Sequence, residues 1–377
     1  MPLRVRVLHA APYLWSGAGR VITDLLDSQR DRHTVALVTS PQSGELRNWP
    51  AYERRVSLRG IRHDRIDLFH REGATFWPAV VAMRRAIDDF KPDVIHTHAG
   101  TPTAIASLAR RASSRAEVPL VSHFYSWGVD RPEWMNTMDL WAFGTADVVV
   151  CSALAYRDVL LTGGITRRRV RVIPWGLPAE AFDVGSLAPT DAPIIGTLGR
   201  IERRKGQLDL VRAFAQLRRR HPTVRLELVG PVAEEVYAAE IRESIETLKV
   251  SDVVTMTGHV ADPQRYLRRW TTYVSLSSDE GQGLAVLEAM AAGVAVVALA
   301  ASGIEDYLTH GKTGLVARSR RAPHVAGLVE RLLDDPGLAR RLSLRASAMV
   351  QRRFSWARTV EQIDEIYRRV LSAAAVN

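Results

Sequence analysis

The sequence predicts an α/β protein built from two doubly wound domains, each a parallel sheet with helices on both faces. Two observations predict it. Short apolar runs alternate with amphipathic stretches along nearly the whole chain, the pattern of strand–helix–strand units. The alternation breaks once, in PAEAFDVGSLAPTDAP (178–193), and then restarts, so this Pro- and Gly-bearing stretch reads as a linker. A length of 377 residues suits two or three domains at about 150 residues each.

In the first half, RVRVLHA (4–10), TVALVT (34–39), DVIHTH (93–98), PLVSHF (119–124), DVVVCS (147–152) and RVRVIP (169–174) read as strands. VITDLLDSQR and FWPAVVAMRRAIDDF read as helices between them. In the second half the expected strands are 194–199, 224–230, 252–258, 272–278 and 294–299. Helices are expected at about 206–220, 234–249 and 284–292, and the tail from Ala322 onward reads as helical. Val5 and Val7 alternate with Arg4 and Arg6 at the N-terminus, which reads as a first strand and not as a signal peptide. No run approaches 18 apolar residues, so no transmembrane helix is expected. The single cysteine, Cys151, excludes an internal disulfide and reads as a buried thiol. Together these features point to the cytoplasm.

The formal charge is +10, and only four of the 51 cationic residues are lysines. The arginine runs 167–169, 218–220 and 318–321 are short, scattered and free of interleaved aromatics. They read as solvated helix faces, which argues against a nucleic-acid partner. An anionic small substrate, or peripheral contact with an anionic membrane surface, is compatible with the charge. No clear membrane helix with clustered Lys and Arg beside exposed aromatics is expected in the first domain.

Against this basic background, EGQGLAVLE (280–288) places two glutamates around a glycine turn. Gly281 and Gly283 oppose helix at about 1 kcal/mol each, whereas LAVLEAM is strongly helical. Glu280 should therefore sit on a loop after a strand, and Glu288 inside the first turns of a helix. Glycines let backbone N–H groups approach a ligand, and a helix N-terminus favours an anion. Carboxylates on either side accept hydrogen bonds from hydroxyls. A ligand with sugar hydroxyls flanking a phosphate fits. By itself, a surface glutamate favoured by the helix dipole is an equally open reading of Glu288. Arg200 and Lys205 follow the strand IIGTLG on a strand-to-helix loop and suit a phosphate, while Arg203 and Arg204 read as solvent-exposed. WSGAGR (15–20) reads as a glycine loop between the first strand and its helix. His96 and His98 share a strand face. No nearby carboxylate or cysteine completes a metal site, so strand-end packing or substrate contact is the reading. FYSWGVDRPEWMNTMDLW (124–141) combines aromatics with Asp130, Glu133 and Asp139. It reads either as an acceptor wall or as a helix packing its tryptophans into the core.

The segment 280–317, TLGRIERRKGQLDLVRAF (197–214), DVIHTHAG, WSGAGR and HFYSW together resemble the retaining glycosyltransferases of family 4 (glycosyl transferases group 1). The likeness is strong in the second half and thin in the first. It implies the GT-B fold, two Rossmann-like domains facing a central cleft. The corresponding boundaries are an acceptor-binding domain at 1–180, a nucleotide-sugar domain at 191–354, and a C-terminal helix at 355–377 packing back on the first domain. The resemblance implies that Glu280 contacts hydroxyls of the transferred sugar and that Glu288 holds the ribose. Backbone at Gly281, Gln282, Gly283 and Leu284 approaches sugar and phosphate, and Val260 lies where the base is seated. Arg200, Lys205 and Gly199 serve the diphosphate, Gly17 and Gly19 approach the donor when the domains close, and His123 lies near the transferred sugar. His98, Tyr125, Trp127 and Asp130 are the acceptor candidates. Two departures stand out: Gln282 replaces an aromatic residue common in the family, and Trp175 replaces an asparagine.

The expected reaction is transfer of a sugar, with retention, from a nucleoside diphosphate donor (a UDP-sugar favoured) to a hydroxyl of a small-molecule glycoside or natural-product intermediate. No metal and no cofactor are expected, since protein cations take the metal's place. Alternatives are a glycosyltransferase of cell-surface glycan or lipid assembly, and a GT-B sugar-nucleotide epimerase or phosphorylase. A dinucleotide dehydrogenase fits less well: SGAGRV lacks the third glycine, and the second strand ends in Thr39 and Ser40 without the fingerprint's acid. A binding-only protein is opposed by the intact Glu280, Glu288, Arg200 and Lys205.

Overall fold

The structure is a computed structural model and describes residues 4–43, 48–127, 131–182 and 192–374. The chain divides into two compact units, Met1–Pro174 with Arg358–Asn377, and Trp175–Ala357.

The first unit runs β1 (Arg6–Ala10), α1 (Ser16–Arg30), β2 (Thr34–Thr39), α2 (Pro50–Leu58), β3 (Arg62–Arg65), α3 (Gly73–Phe90), β4 (Val94–His98), α4 (Gly100–Arg111), β5 (Leu120–Phe124), α5 (Glu133–Gly144), β6 (Val148–Cys151), α6 (Leu154–Thr162) and β7 (Val170–Val172). Its seven strands are ordered β3-β2-β1-β4-β5-β6-β7 and pair in parallel. Alternate residues send Leu8, Ala10, Val38, Ile95, Leu120 and Phe124 into one hydrophobic core. The opposite face carries His9, His96, His98 and His123, all buried. Register explains their meeting: His9 pairs with His96 across β1 and β4, and His98 with His123 across β4 and β5. Residues two apart on β4 share a face, so the four imidazoles form one patch.

The second unit runs β8 (Ile194–Leu198), α7 (Gln207–Leu217), β9 (Arg225–Val229), α8 (Glu235–Thr247), β10 (Val254–Gly258), α9 (Gln264–Leu267), β11 (Thr272–Ser275), α10 (Leu284–Ala291), β12 (Ala295–Leu299), β13 (Leu315–Ala317), α11 (Ala322–Asp334) and α12 (Pro336–Arg353). The strands are ordered β10-β9-β8-β11-β12-β13, again in parallel. Ala295 and Val297 enter one core with α7, α8 and α11, while Val296 and Ala298 enter a second core with α10 and α12. Coverage on both faces is why VAVVAL is apolar without alternation. The last helix, α13 (Trp356–Ala374), buries Thr359, Val360, Ile363, Ile366, Tyr367 and Val370 on one stripe. From Arg358 onward it belongs to the first unit, where the Thr359 hydroxyl donates to the Pro174 carbonyl at 2.8 Å.

The strands follow the sequence expectations with shorter ends, and two were missed. β3 (RHDR) is a charged edge strand, and β13 has only three residues. The WSGAGR reading needs correction. The chain enters α1 at Ser16, whose φ of 54° turns it directly into the helix, so Gly17 and Gly19 occupy the first turn and not a loop. Most of the expected linker (183–191) lies outside the described residues. Its start, Ala179–Phe182, is a short 3₁₀ turn with Ala181 buried.

Candidate functional site

In doubly wound sheets ligands sit beyond the carboxyl ends of the strands, where the strand order reverses. In the second unit that point lies between β8 and β11, which are neighbours although far apart in sequence. The residues leaving these two strands meet there. Lys205, after β8, places Nζ 2.5 Å from Oε1 of Glu280, after β11, and both side chains are largely buried. Between them runs a second tie: buried Glu202 binds Arg200 through Oε2 at 3.0 Å and Arg204 through Oε1 at 2.7 Å. Arg204 in turn donates from Nη1 to the Asp279 carbonyl at 2.9 Å. The cationic loop and the Glu280 loop are thus one assembly.

The glycines of EGQGL do specific work. Gly283 caps α10 with φ 73°, a left-handed turn that a side chain would strain. The Tyr307 hydroxyl donates to the Gln282 carbonyl at 2.8 Å, and the Gly303 N–H donates to the Glu280 carbonyl at 3.0 Å. A Cβ on Gly303 would lie 2.6 Å from the Glu280 and Gly281 carbonyl oxygens, so a glycine is required beneath the loop. Glu288 lies on the second turn of α10 and is 3% exposed. Burial, then the negative charges of Glu280 and Glu288, push the Tyr273 hydroxyl well above its usual range. Gly199 and Val260 follow β8 and β10 at the same end of the sheet.

In the first unit the order reverses between β1 and β4, and the histidine patch lies on these strands and β5. The nitrogens are linked in pairs: His9 Nδ1 to His98 Nε2 at 3.1 Å, and His96 Nε2 to His123 Nδ1 at 2.7 Å. His98 Nδ1 meets the Tyr125 hydroxyl at 2.9 Å. Burial lowers the pKa of all four, His9 to about 4, so the rings are neutral at pH 7. His9, His96 and His98 offer nitrogens close enough together to surround an ion. However, the rings of His98 are stacked on those of His9 and His96, with interplanar angles of 16° and 23°. Their nitrogens are already bound to one another and to neighbours, an arrangement suited to hydrogen bonds rather than to convergent lone pairs.

Residues 179–349 match the family Glycosyl transferases group 1, and residues 15–181 match Glycosyltransferase Family 4. A D-inositol 3-phosphate glycosyltransferase of Acidothermus cellulolyticus is 30% identical over 309 residues, spanning 74% of this chain and 68% of the relative. The chain belongs to glycosyltransferase family 4. A glycogen synthase of Mycobacterium tuberculosis (strain H37Rv) is 25% identical over 289 residues, covering 74% and 69% of the two chains. The crystal structure of Anabaena Alr3699/HepE in complex with UDP and glucose superposes with a TM-score of 0.81 at 20% identity, over 97% of this chain and all of that one. The fold of this glycosyltransferase is therefore GT-B.

Within the glycosyltransferase, the structure shows the surroundings of several expected site residues. Asp139 is buried and bound by Arg71 at 2.9 Å and Arg131 at 2.7 Å. It is a structural anchor for α5 and not an accessible acceptor carboxylate. Trp127 packs on the first core and lies under the Arg131 guanidinium. Trp134 and Trp141 are 54% and 52% exposed, so α5 does not bury its tryptophans. Asp130 lies outside the described residues. Arg203 is exposed and pairs with Glu240, but Arg204, expected to be solvated, holds the Glu280 loop. Sequence reasoning missed Glu202, Arg204, Gly303, Tyr307 and His9. Glu202 in IERRK and His9 in VLHA carried a signal, an acid amid cations and a histidine in an apolar strand. The other three carried none.

Proposed function

We propose that this glycosyltransferase moves a sugar, with retention, from a nucleoside diphosphate donor to a hydroxyl of a small polyol, without a metal ion. The Lys205–Glu280 pair across the β8–β11 switch point carries the reading, with Glu288 buried eight residues beyond Glu280. In the reaction the bond from the anomeric carbon to the diphosphate oxygen breaks and a bond to the acceptor oxygen forms. The leaving diphosphate gains negative charge, which Lys205 and Arg200 stabilise. Glu280 accepts hydrogen bonds from sugar hydroxyls while holding Lys205. A carboxylate so paired is a poor nucleophile, which favours same-face displacement, with the acceptor proton passing to the departing phosphate oxygen. Glu288 accepts from the ribose hydroxyls. Cations built into the loop after β8 take a metal's place at the phosphates. A UDP-sugar is the favoured donor, because a structural relative binds UDP and glucose. A soluble polyol acceptor is supported by the relative named a D-inositol 3-phosphate glycosyltransferase.

A second acceptor class is favoured by one observation. Trp77 and Val81 are exposed one turn apart on α3, with Arg84 and exposed Arg85 on the following turn. This surface suits a lipid-linked acceptor, so an acceptor screen includes both classes.

Calorimetric titration with UDP, GDP, ADP, dTDP and NAD in the absence of divalent metal tests the donor site. Micromolar binding of one nucleoside diphosphate is expected; binding of NAD alone overturns the reading. Glu288→Ala should weaken that binding tenfold or more. Glu280→Ala should leave it nearly unchanged but lower turnover by roughly 10²–10³, and the product's anomeric configuration, read by NMR coupling constants, should match the donor's.

A further inference from the structure

The loops after β8 and β11 carry Lys205 and Glu280, yet the sheet does not set the gap between them. The β8–β11 ladder joins only Ile195 to Thr272 and Gly196 to Tyr273, whereas β8 runs on to Leu198 and β11 to Ser275. Beyond the ladder the separation depends on turns and side chains. Two ties come from the loops themselves. The Ser278 N–H donates to the Arg204 carbonyl at 2.9 Å, and Arg204 Nη1 donates to the Asp279 carbonyl at 2.9 Å.

A further tie comes from a different segment. Arg320 lies between β13 and α11, in the run 318–321 that reads in sequence as a solvated face. Arg318 and Arg321 are exposed, but the Arg320 side chain is only 27% exposed. Its Nε–H donates to the Leu276 carbonyl at 2.7 Å, one residue past the end of β11, and its Nη2–H donates to the Arg204 carbonyl. A guanidinium holds its N–H groups in one plane at fixed spacing, so the two carbonyls it grips stand at a set distance. Its root is anchored outside both loops: β13 pairs with β12 through Ala317 and Leu299, and the Arg318 N–H donates to His324 Nε2 at 3.2 Å. The start of α7 packs against the same group. Gly206 has φ 71°, and a Cβ there would stand 2.8 Å from the Leu276 carbonyl oxygen and 3.2 Å from Arg320 Nε. The Arg204 carbonyl belongs to the peptide unit that leads into Lys205, so the fork fixes the backbone from which the Lys205 side chain departs.

We propose that Arg320 is a positioning residue for sugar transfer: its fork on the Leu276 and Arg204 carbonyls sets the reach between Lys205 and Glu280. It thereby sets where the diphosphate meets its cation relative to the sugar hydroxyls that Glu280 receives. Arg320 acts through the backbone of the two loops and touches no substrate. The link to transfer rests on the proposed function; the fixing of the Lys205–Glu280 pair does not.

The chain has four lysines, Lys91, Lys205, Lys249 and Lys312, so their ammonium groups are separable by NMR. The test is a ¹H–¹⁵Nζ correlation spectrum of lysine-labelled, ligand-free full-length protein at low temperature, with Lys205 assigned through Lys205→Arg. Its signal is expected to be protected in the wild type and displaced in Glu280→Gln. Arg320→Met removes the fork, and Arg320→Lys keeps the charge but offers a single nitrogen in its place. Both should shift or broaden the Lys205 signal. Leu332→Ala opens a cavity in the core under α11, controls for lost stability, and should leave that signal in place. An unchanged Lys205 signal in the Arg320 variants, or an equal shift in Leu332→Ala, overturns the positioning. A shift in Arg320→Met that Arg320→Lys abolishes overturns the fork, since charge alone then suffices. With UDP-glucose as donor probe, both Arg320 variants should lose roughly tenfold to a hundredfold in kcat with donor KM little changed. A shifted signal with unaltered kcat overturns the role in transfer. Because the spectrum needs no substrate, failure of the glycosyl-transfer reading is distinguishable from failure of the positioning. If Arg320→Met does not fold, Arg320→Lys alone decides.

Discussion

Gln282 and Trp175 are the two departures from the family pattern singled out in the sequence, and at the residue scale they are one feature. The Gln282 side chain accepts from the Trp175 N–H at 2.7 Å and donates to the Trp175 carbonyl at 2.7 Å. Its amide is therefore spent on the backbone, and only main-chain groups of Gln282 remain for a donor. Both residues are buried. Gln282→Leu would leave the two Trp175 groups without these partners, at about 1–3 kcal/mol each. Urea unfolding should show a loss of roughly 2–4 kcal/mol; a loss under 0.5 kcal/mol would show that the pairing carries no net stability. The same scale explains Arg204. In sequence it reads like its neighbour Arg203, but the fold turns Arg203 to Glu240 and Arg204 to the Asp279 carbonyl.

At the element scale α1 is the instructive case. Gly19 reads as a ligand-approach glycine, yet a Cβ there would stand 2.6 Å from the Leu14 carbonyl carbon and 2.9 Å from Tyr52 Cε2. The glycine lets the first turn of α1 lie against the segment that joins β1 to it and against α2. Gly19→Ala should cost about 1–3 kcal/mol through overpacking against backbone that cannot move aside, measurable as a lowered Tm. An unchanged Tm with impaired donor use would return Gly19 to the ligand role. β3 escaped the sequence reading because an edge strand carries charge to discourage further pairing, and RHDR has no apolar period to detect.

For the whole molecule the histidine patch makes stability depend on pH. His9 stays neutral in the fold down to about pH 4, because burial outweighs the opposing Gln29 bond, whereas in the unfolded chain it takes up a proton near 6.5. Acid thus favours the unfolded state. The contribution is fully present above about pH 6.5 and falls as pH drops toward 4, by about 3 kcal/mol for His9 alone. His96, His98 and His123 are lowered in the same direction by burial, and they add to the loss. Thermal unfolding followed from pH 7.5 to 4.5 should show a steep decline below 6.5; a flat profile would mean the rings are protonated in the fold.

Strand–helix alternation, the broken rhythm near residue 180 and the EGQGLAVLE turn were legible in the amino-acid order, because apolar period and glycine preference are local. From them came two doubly wound domains and the Glu280–Glu288 turn, to which the resemblance to family 4 added Arg200 and Lys205. What the order could not show were contacts set by strand register and by segments distant in sequence. His9 joins His96 only because β1 pairs with β4, Glu202 gathers two arginines only after the loop folds, and Gln29 reaches Tyr367 across 338 positions. Hydrogen-bond direction depends on which partner stands opposite each nitrogen, and that partner is chosen by tertiary structure alone.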